Sequence, residues 1–598
     1  MSAVQSERSV IPTAEELGFD PQELRRKYDA ERDKRLRGDG NNQYREVVGD
    51  LEQYNDDPYI EEPLVRGSVN EDIEVAIIGG GFGGLLMGAR LQEAGITNFR
   101  VIEKAGDFGG TWYWNRYPGA RCDTESMQYS YSFSDELQQE WNWSERYATQ
   151  PEILEYINHV TSRFDLRKDI SFSTRVTTAS FREEFNQWFI ETDRDLQIKS
   201  NFLVMATGCL SSPFYPEIKG LKNFKGSICH TGRWPHSNVE FKGKKIGVIG
   251  TGSSAIQSIP VMSKNAEHVY VFQRTANFAI PAHNGPIPQE KVNHVKSIYP
   301  EIRKKAKELY AGFYQTYNDQ SALEVSEKER NEEYERRWQH GGLPFFGAFT
   351  DLTFDANANE TAAEFVRTKI KEIVKDPIIA KKLSPQTVIG CKRLCVDTDY
   401  YATFNRENVS LIDIKESPIE KIAERGVIVS GQLYEIDLLV LATGFDAMTG
   451  SILKIDIRGR GGKSIQEKWS EGPKTFLGLM TEGFPNFFMI TGPQSPSVLT
   501  NMLTSIEQHI DWICDCLIFL REQGIKKIEP KKEIEDNWVE HCNTLASETL
   551  RYKCTSWYLG VNIPGKPRIF MPYVGGFPMY KEKCDGEALN GYHSFELA

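Results

Sequence analysis

Two glycine turns, each set between an apolar strand and a helix, constrain this chain more than any other feature. The first follows a strand at Ile73–Ile78 and reads Gly79-Gly80-Gly81-Phe82-Gly83-Gly84. A helix through Gln92 and a strand at Phe99–Ile102 complete the unit, which ends on Glu103. The second follows a strand at Ile246–Ile249 and reads Gly250-Thr251-Gly252-Ser253-Ser254-Ala255, with a helix from Ser253 and a strand at His268–Gln273. Two short apolar strands joined through a helix read as a parallel βαβ unit, whose crossover needs a dozen or more residues and is usually a helix. The chain is therefore α/β, with two βαβ units in its first half.

The spacing G-x-G-x-x-G/A at a strand-to-helix turn is a fingerprint for a dinucleotide, so the two units read as Rossmann-like. In the first, Gly79 permits the tight turn, Gly81 lets backbone approach a pyrophosphate, and Gly84 lets the helix pack on its strand. Glu103 stands where an acid bonds a ribose hydroxyl. In the second, Thr251, Gly252, Ser253, Ser254 and Ala255 form the corresponding turn. The strand after it ends on Arg274-Thr275 instead of an acid. A carboxylate there would repel a 2′-phosphate, whereas a guanidinium binds one, so the second nucleotide is expected to be NADPH.

A chain of 598 residues is too long for one core. Its formal net charge of -13 argues against a nucleic-acid partner. The apolar run at Ile513–Leu520 is broken by Asp515, and no other run approaches the length of a membrane span. Met1–Phe19 has no apolar core of a secretory signal, so a cytoplasmic protein is expected. The ten cysteines are scattered without histidines at zinc spacing, so no metal is expected. No C-x2-C or C-x4-C pair is present to support a disulfide reductase.

Residues Pro21–Arg37 read as a charged helix, and residues 1–70 as an extension wrapping the core. A first domain is expected at 71–208 and a second at 209–437, with a helical insertion at about 287–385. Residues 438–598 return to the first domain. The segment EKVNHVKSIYPEIRKKAKELYAGFYQTY within the insertion has helical periodicity, as does EKERNEEYERRW, and Thr500–Leu520 reads as a long helix. The turns Ala206-Thr207-Gly208 and Ala442-Thr443-Gly444 flank the second unit.

Between the two units lies Phe224-Lys-Gly-Ser-Ile-Cys-His-Thr-Gly-Arg-Trp-Pro235, which reads F-x-G-x-x-x-H-x-x-x-W-P. A second segment, Gly109-Gly110-Thr-Trp112-Tyr-Trp-Asn-Arg-Tyr117-Pro118-Gly119-Ala-Arg-Cys-Asp123, precedes it. Both resemble the signatures of type I Baeyer–Villiger monooxygenases. Cys391-Lys392-Arg393 resembles that family's Lys-Arg pair, with Leu394 in place of the usual proline. Gly492–Met502 resembles a loop that lies beside flavin and substrate, and Ser556-Trp557-Tyr558 a stretch that covers NADP. The extension ELRRKYDAERDKRLRGDGNNQY resembles the leader of the large-ring group, such as cyclopentadecanone monooxygenase.

The resemblance implies a flavoprotein monooxygenase fold, with FAD in the first domain and NADPH in the second. It implies conversion of a cyclic ketone, large-ring or polycyclic, to a lactone or ester through a flavin peroxide formed with O2. Arg393 would be the catalytic cation and Asp123 the carboxylate that holds it. FAD contacts would include Thr111, Trp112, Asp123, Tyr129 and Met502. NADP contacts would include Gln257, Lys392 and Trp557. His230 and Trp234 admit a catalytic reading, but a hinge or packing role suits them better. The partners implied are a ketone and O2, with oligomeric state left open. The rival reading is an N- or S-oxidising flavin monooxygenase, a class that usually lacks the Trp-Pro ending and the Asp123 segment.

Overall fold

The computed structural model describes residues 57–60, 69–236, 238–561, 563 and 565–598. The expected helix at Pro21–Arg37 lies outside these residues, as does most of the expected wrapping extension. The first βαβ unit is β1 (Val69–Ile78), α1 (Phe82–Glu93) and β2 (Phe99–Ile102). The second is β3 (Lys245–Ile249), α2 (Ser253–Ser263) and β4 (His268–Gln273).

Around β1 an eight-stranded sheet forms, in the order 456–458, 176–182, 187–192, 196–205, β1, β2, 170–171. Strand Phe487–Met489 adds in parallel to the end of Leu196–Met205. Around β3 a five-stranded, all-parallel sheet forms, in the order 409–413, β4, β3, 438–441, 227–230. Leu438–Leu441 is wholly buried between β3 and Ser227–His230, as an apolar central strand should be. The second sheet therefore runs past the expected boundary at residue 437. The chain returns to the first sheet only at Asp456–Arg458.

The two glycine turns solve one steric problem twice. Gly79 has φ +114°, and a Cβ there would lie 2.4 Å from the Ala206 carbonyl oxygen. Gly250 has φ +113°, and a Cβ there would lie 2.4 Å from the Ala442 carbonyl oxygen. Each alanine-threonine-glycine turn thus packs on the first glycine of a fingerprint, at the carboxyl ends of adjacent parallel strands. That is where α/β sheets leave a crevice.

The inserted helices divide between the two cores. Helix Glu327–His340 opens with a Ser326/Glu329 capping box and packs Tyr334 and Trp338 into the second unit's core. Val292 and Tyr299 instead join the first unit's core. Arg303 ties the same segment to Gln128, Ser130 and Gln138. The stretch of helical periodicity from Glu290 holds two helices, Gln289–Ser297 and Tyr299–Lys307, followed by turns over residues 308–325. Pro300 explains the break: it lacks an N–H and suits only the first turn of a new helix. Helix Met502–Gln523 is capped by Asn501 and packs against α1.

Candidate active site

Both glycine turns open onto one cavity of about 960 Å³, near the top of the ~300–1,000 Å³ range of small-molecule sites. From the first fingerprint, Gly79 and Gly81 line it, with Glu103 at the end of β2. Thr111, Trp112, Asp123, Tyr129 and Met502 line it as well. From the second fingerprint come Thr251, Gly252, Ser253 and Ser254, with Gln257 one turn along α2. Arg274, Thr275, Lys392, Arg393 and Trp557 complete the set. Of the residues expected at the site, only Gly84 and Ala255 do not face the cavity. A Cβ at Gly84 would come within 1.9 Å of the Gly79 carbonyl oxygen, so this glycine serves helix–strand packing. Ala255 is wholly buried in the second unit's core.

Each of the two glycine turns ends in a helix N-terminus with N–H groups left unbonded. Gly81 is the N-cap of α1 and Gly252 that of α2, and neither helix has a side chain bonding its free N–H groups. Those groups and the helix dipole favour an anion. A Cβ at Gly252 would meet nothing within 4 Å, so the backbone there is open to a ligand. Glu103 is 4% exposed. Its Oε2 accepts the Gly80 N–H at 2.5 Å and its Oε1 the Ala105 N–H at 2.7 Å. Burial raises its pKa, and those two bonds oppose the rise. Each oxygen keeps a lone pair for a ribose hydroxyl. The cradle therefore fits a dinucleotide flavin.

Arg393 and Asp123 meet although 270 residues separate them. The guanidinium donates from Nε to Asp123 Oδ2 at 2.5 Å and from Nη2 to Oδ1 at 2.7 Å. Its Nη1 donates to the Val498 carbonyl at 2.9 Å, in the segment expected to lie beside flavin and substrate. Burial would lower the Arg393 pKa, but the Asp123 carboxylate more than offsets this and holds it above the ordinary value. Three of five N–H groups are thereby occupied and two remain. Nearby, Tyr129 Oη accepts the Trp112 indole N–H at 3.1 Å, which fixes both rings on the wall.

On the second unit's side, Thr251 Oγ1 donates to the Thr275 carbonyl at 2.7 Å, and Asn277 Nδ2 to the Thr251 carbonyl at 2.8 Å. Gln257 accepts from Tyr117 Oη at 2.8 Å and donates to the Arg121 carbonyl at 3.1 Å, tying α2 to the segment before Asp123. Burial lowers the Lys392 pKa, and the nearby charge of Arg274 lowers it further. Among the described residues neither cation is paired with a carboxylate.

His230 is bound at both ring nitrogens. Its Nδ1 accepts the Gly232 N–H at 2.9 Å, and its Nε2 lies 3.1 Å from the Phe214 carbonyl. Burial pushes its pKa down to about 4, so it is neutral near pH 7. Neither His230 nor Trp234 is among the residues lining the cavity.

The cavity also holds residues that sequence reasoning missed. Lys104 lies 5.4 Å from the Trp114 ring centre, and burial pushes its pKa down to about 7. The Arg233 guanidinium stacks 3.8 Å from the same ring. A charged residue directly after Glu103 was the available signal for Lys104. Asn277 gave none, and Val498 was marked only by the loop it belongs to.

Residues 76–341 match the family model for pyridine nucleotide-disulphide oxidoreductases. The ten cysteines are nevertheless free and buried. A Baeyer-Villiger monooxygenase of Pseudooceanicola batsensis is 41% identical over 530 residues, covering 88% of this chain and 96% of that protein. The structure of an oxidized steroid monooxygenase bound to NADP is 48% identical with TM-score 0.85, covering 88% of this chain and 99% of that one. The structure of OTEMO in complex with FAD and NADP is 37% identical with TM-score 0.85, covering 88% and 99%.

Proposed function

Because this chain belongs to the type I Baeyer–Villiger monooxygenases, we propose that Arg393, held by Asp123, is the cation that serves oxygen insertion in its shared cavity. The enzyme is an FAD-dependent monooxygenase that uses NADPH and O2 to convert ketones to esters or lactones. FAD, when bound, accepts hydride from NADPH and activates O2 to supply the inserted oxygen atom.

The remaining chemistry belongs to the chain's own side chains. Negative charge grows on the ketone oxygen as its carbon is attacked. A fixed cation beside that oxygen stabilises the change without reorganising at the moment of reaction. Arg393 suits the task because its guanidinium cannot lose its proton and Asp123 fixes the plane of its fork. Arg274 and Lys392 would take a 2′-phosphate, and Trp557, which lines the cavity, would cover the nucleotide. The first fingerprint, with Thr111, Trp112, Tyr129 and Met502, would hold FAD. The single observation that carries this reading is the bidentate Arg393–Asp123 pair on the wall of a cavity onto which both nucleotide turns open.

We assign residues 71–208 with the chain after Leu441 to FAD, and 209–441 to NADP. For substrate we favour a fused-ring or large-ring ketone. The extension's resemblance to large-ring enzymes supports this, and so does 48% identity to a steroid monooxygenase. The purified protein is expected to be yellow, and denaturation should release free FAD. A colourless preparation that FAD does not restore would count against the first site. On a ketone panel, a steroid or cyclododecanone should exceed cyclohexanone in kcat/KM, with products one oxygen atom heavier by mass. A preference for cyclohexanone would remove the substrate proposal and leave the reaction. With an amine and a sulfide added to the panel, oxidation of these alone and of no ketone would overturn the reading of Arg393.

A further inference from the structure

Residues 57–60 form a short turn that touches both halves of the site. Asp57 anchors it to the first unit. Its Oδ2 accepts the Tyr113 hydroxyl at 2.7 Å and the Gly106 N–H at 2.8 Å. Its Oδ1 accepts the Tyr59 N–H at 2.9 Å, which closes the turn. Ile60 packs on Gly106 so closely that a Cβ on that glycine would lie 2.6 Å from Cγ1.

Tyr59 reaches from this anchored turn to the second unit. Its ring stands edge-on to Tyr113 with centres 5.4 Å apart, and the Arg116 guanidinium lies 3.8 Å from its centre. Its hydroxyl donates to the Trp234 carbonyl at 2.6 Å. Among the described residues no other hydrogen bond reaches that carbonyl. Burial raises the phenol pKa to about 12, so the group stays a donor throughout the working pH range. Arg233, the residue before Trp234, lines the cavity and stacks on Trp114. One phenol therefore ties the segment leaving the second sheet at His230 to Trp114 and Arg116.

We propose that residues 57–60 are a clasp across the two units, and that Tyr59 is a positioning residue that sets the second unit's place over the shared cavity. Tyr59 does not itself line the cavity and acts through Trp114, Arg233 and Trp234. Gln257 and the Arg393–Asp123 pair also cross the junction, but they are made by the units themselves. The clasp is supplied by the chain that precedes both. This rests on the reading of the second unit as the NADP site.

The test is Tyr59→Phe in the full-length holoenzyme, which removes one oxygen atom and keeps the ring over Arg116. A lost hydrogen bond shifts a two-state equilibrium by about fivefold. KM for NADPH should therefore rise about fivefold, with kcat within twofold and with FAD content and melting temperature unchanged. Asp57→Asn, which weakens the anchor at the other end, should show the same split. Unchanged KM in both variants, or a KM change that tracks loss of FAD or of melting temperature, overturns the clasp. If wild type shows no preference for NADPH over NADH, the NADP reading fails instead. Should Asp57→Asn not fold, Tyr59→Phe alone decides.

Discussion

Replacing Arg393 by alanine is expected to lower ester or lactone formation by roughly 10²–10³ while FAD stays bound. The cofactor cradle does not depend on this residue, because Gly81, the α1 N-terminus and Glu103 are built from a separate segment. What is lost is the fixed cation. Removing one preorganised donor costs ~2.7–4 kcal/mol in comparable sites. Reduction by NADPH should persist, so the electrons should leave as hydrogen peroxide. Measuring ester, NADPH and peroxide in one reaction separates this outcome from general inactivation. If the variant forms ester at near wild-type rate, Arg393 is not the oxygenation cation, although the family assignment stands.

Two companion variants sharpen the result. Arg393→Lys keeps the charge but loses the two-pronged match to Asp123, so it should fall between wild type and alanine. Asp123→Ala should move in the same direction as Arg393→Ala, since the guanidinium would then be buried without its carboxylate. An Asp123→Ala enzyme with full ester yield would mean that the Val498 carbonyl alone orients Arg393.

The parts of this molecule that local physics determines were readable from the residues. Gly79 and Gly250 could be placed because a positive φ beside a neighbouring carbonyl tolerates only glycine. The strand and helix limits around them follow from apolar runs and from the turn itself. Topology was harder. Leu438–Leu441 is an apolar run with no local mark of which sheet it joins, and its pairing with β3 appears only in three dimensions. Helical periodicity alone does not mark the break at Ile298, where Pro300 opens a second helix. The Arg393–Asp123 contact spans 270 residues, and only a family resemblance pointed to it. Tyr59, one tyrosine in a polar stretch, carried no pattern at all. Its meaning lies in the Trp234 carbonyl it meets.

Coenzyme choice should collapse when the second fingerprint loses its cations. Arg274 follows the end of β4, where a ribose-binding acid would exclude a 2′-phosphate, and Lys392 stands close enough to feel its charge. Two like charges side by side, both without a carboxylate among the described residues, are unfavourable until an anion arrives. A phosphate relieves that repulsion and accepts hydrogen bonds from both. Each charge-assisted bond is worth about 1.5–3 kcal/mol. Arg274→Ala should therefore reduce kcat/KM for NADPH by roughly tenfold or more. Arg274→Ala with Lys392→Ala should approach roughly a hundredfold, short of simple addition because the two share one ligand. NADH efficiency should change little in either enzyme, since NADH has no 2′-phosphate for them to hold. Steady-state kinetics with both coenzymes decides the matter. An equal loss with NADPH and NADH would assign Arg274 to the structure of the strand end and leave the phosphate to other donors.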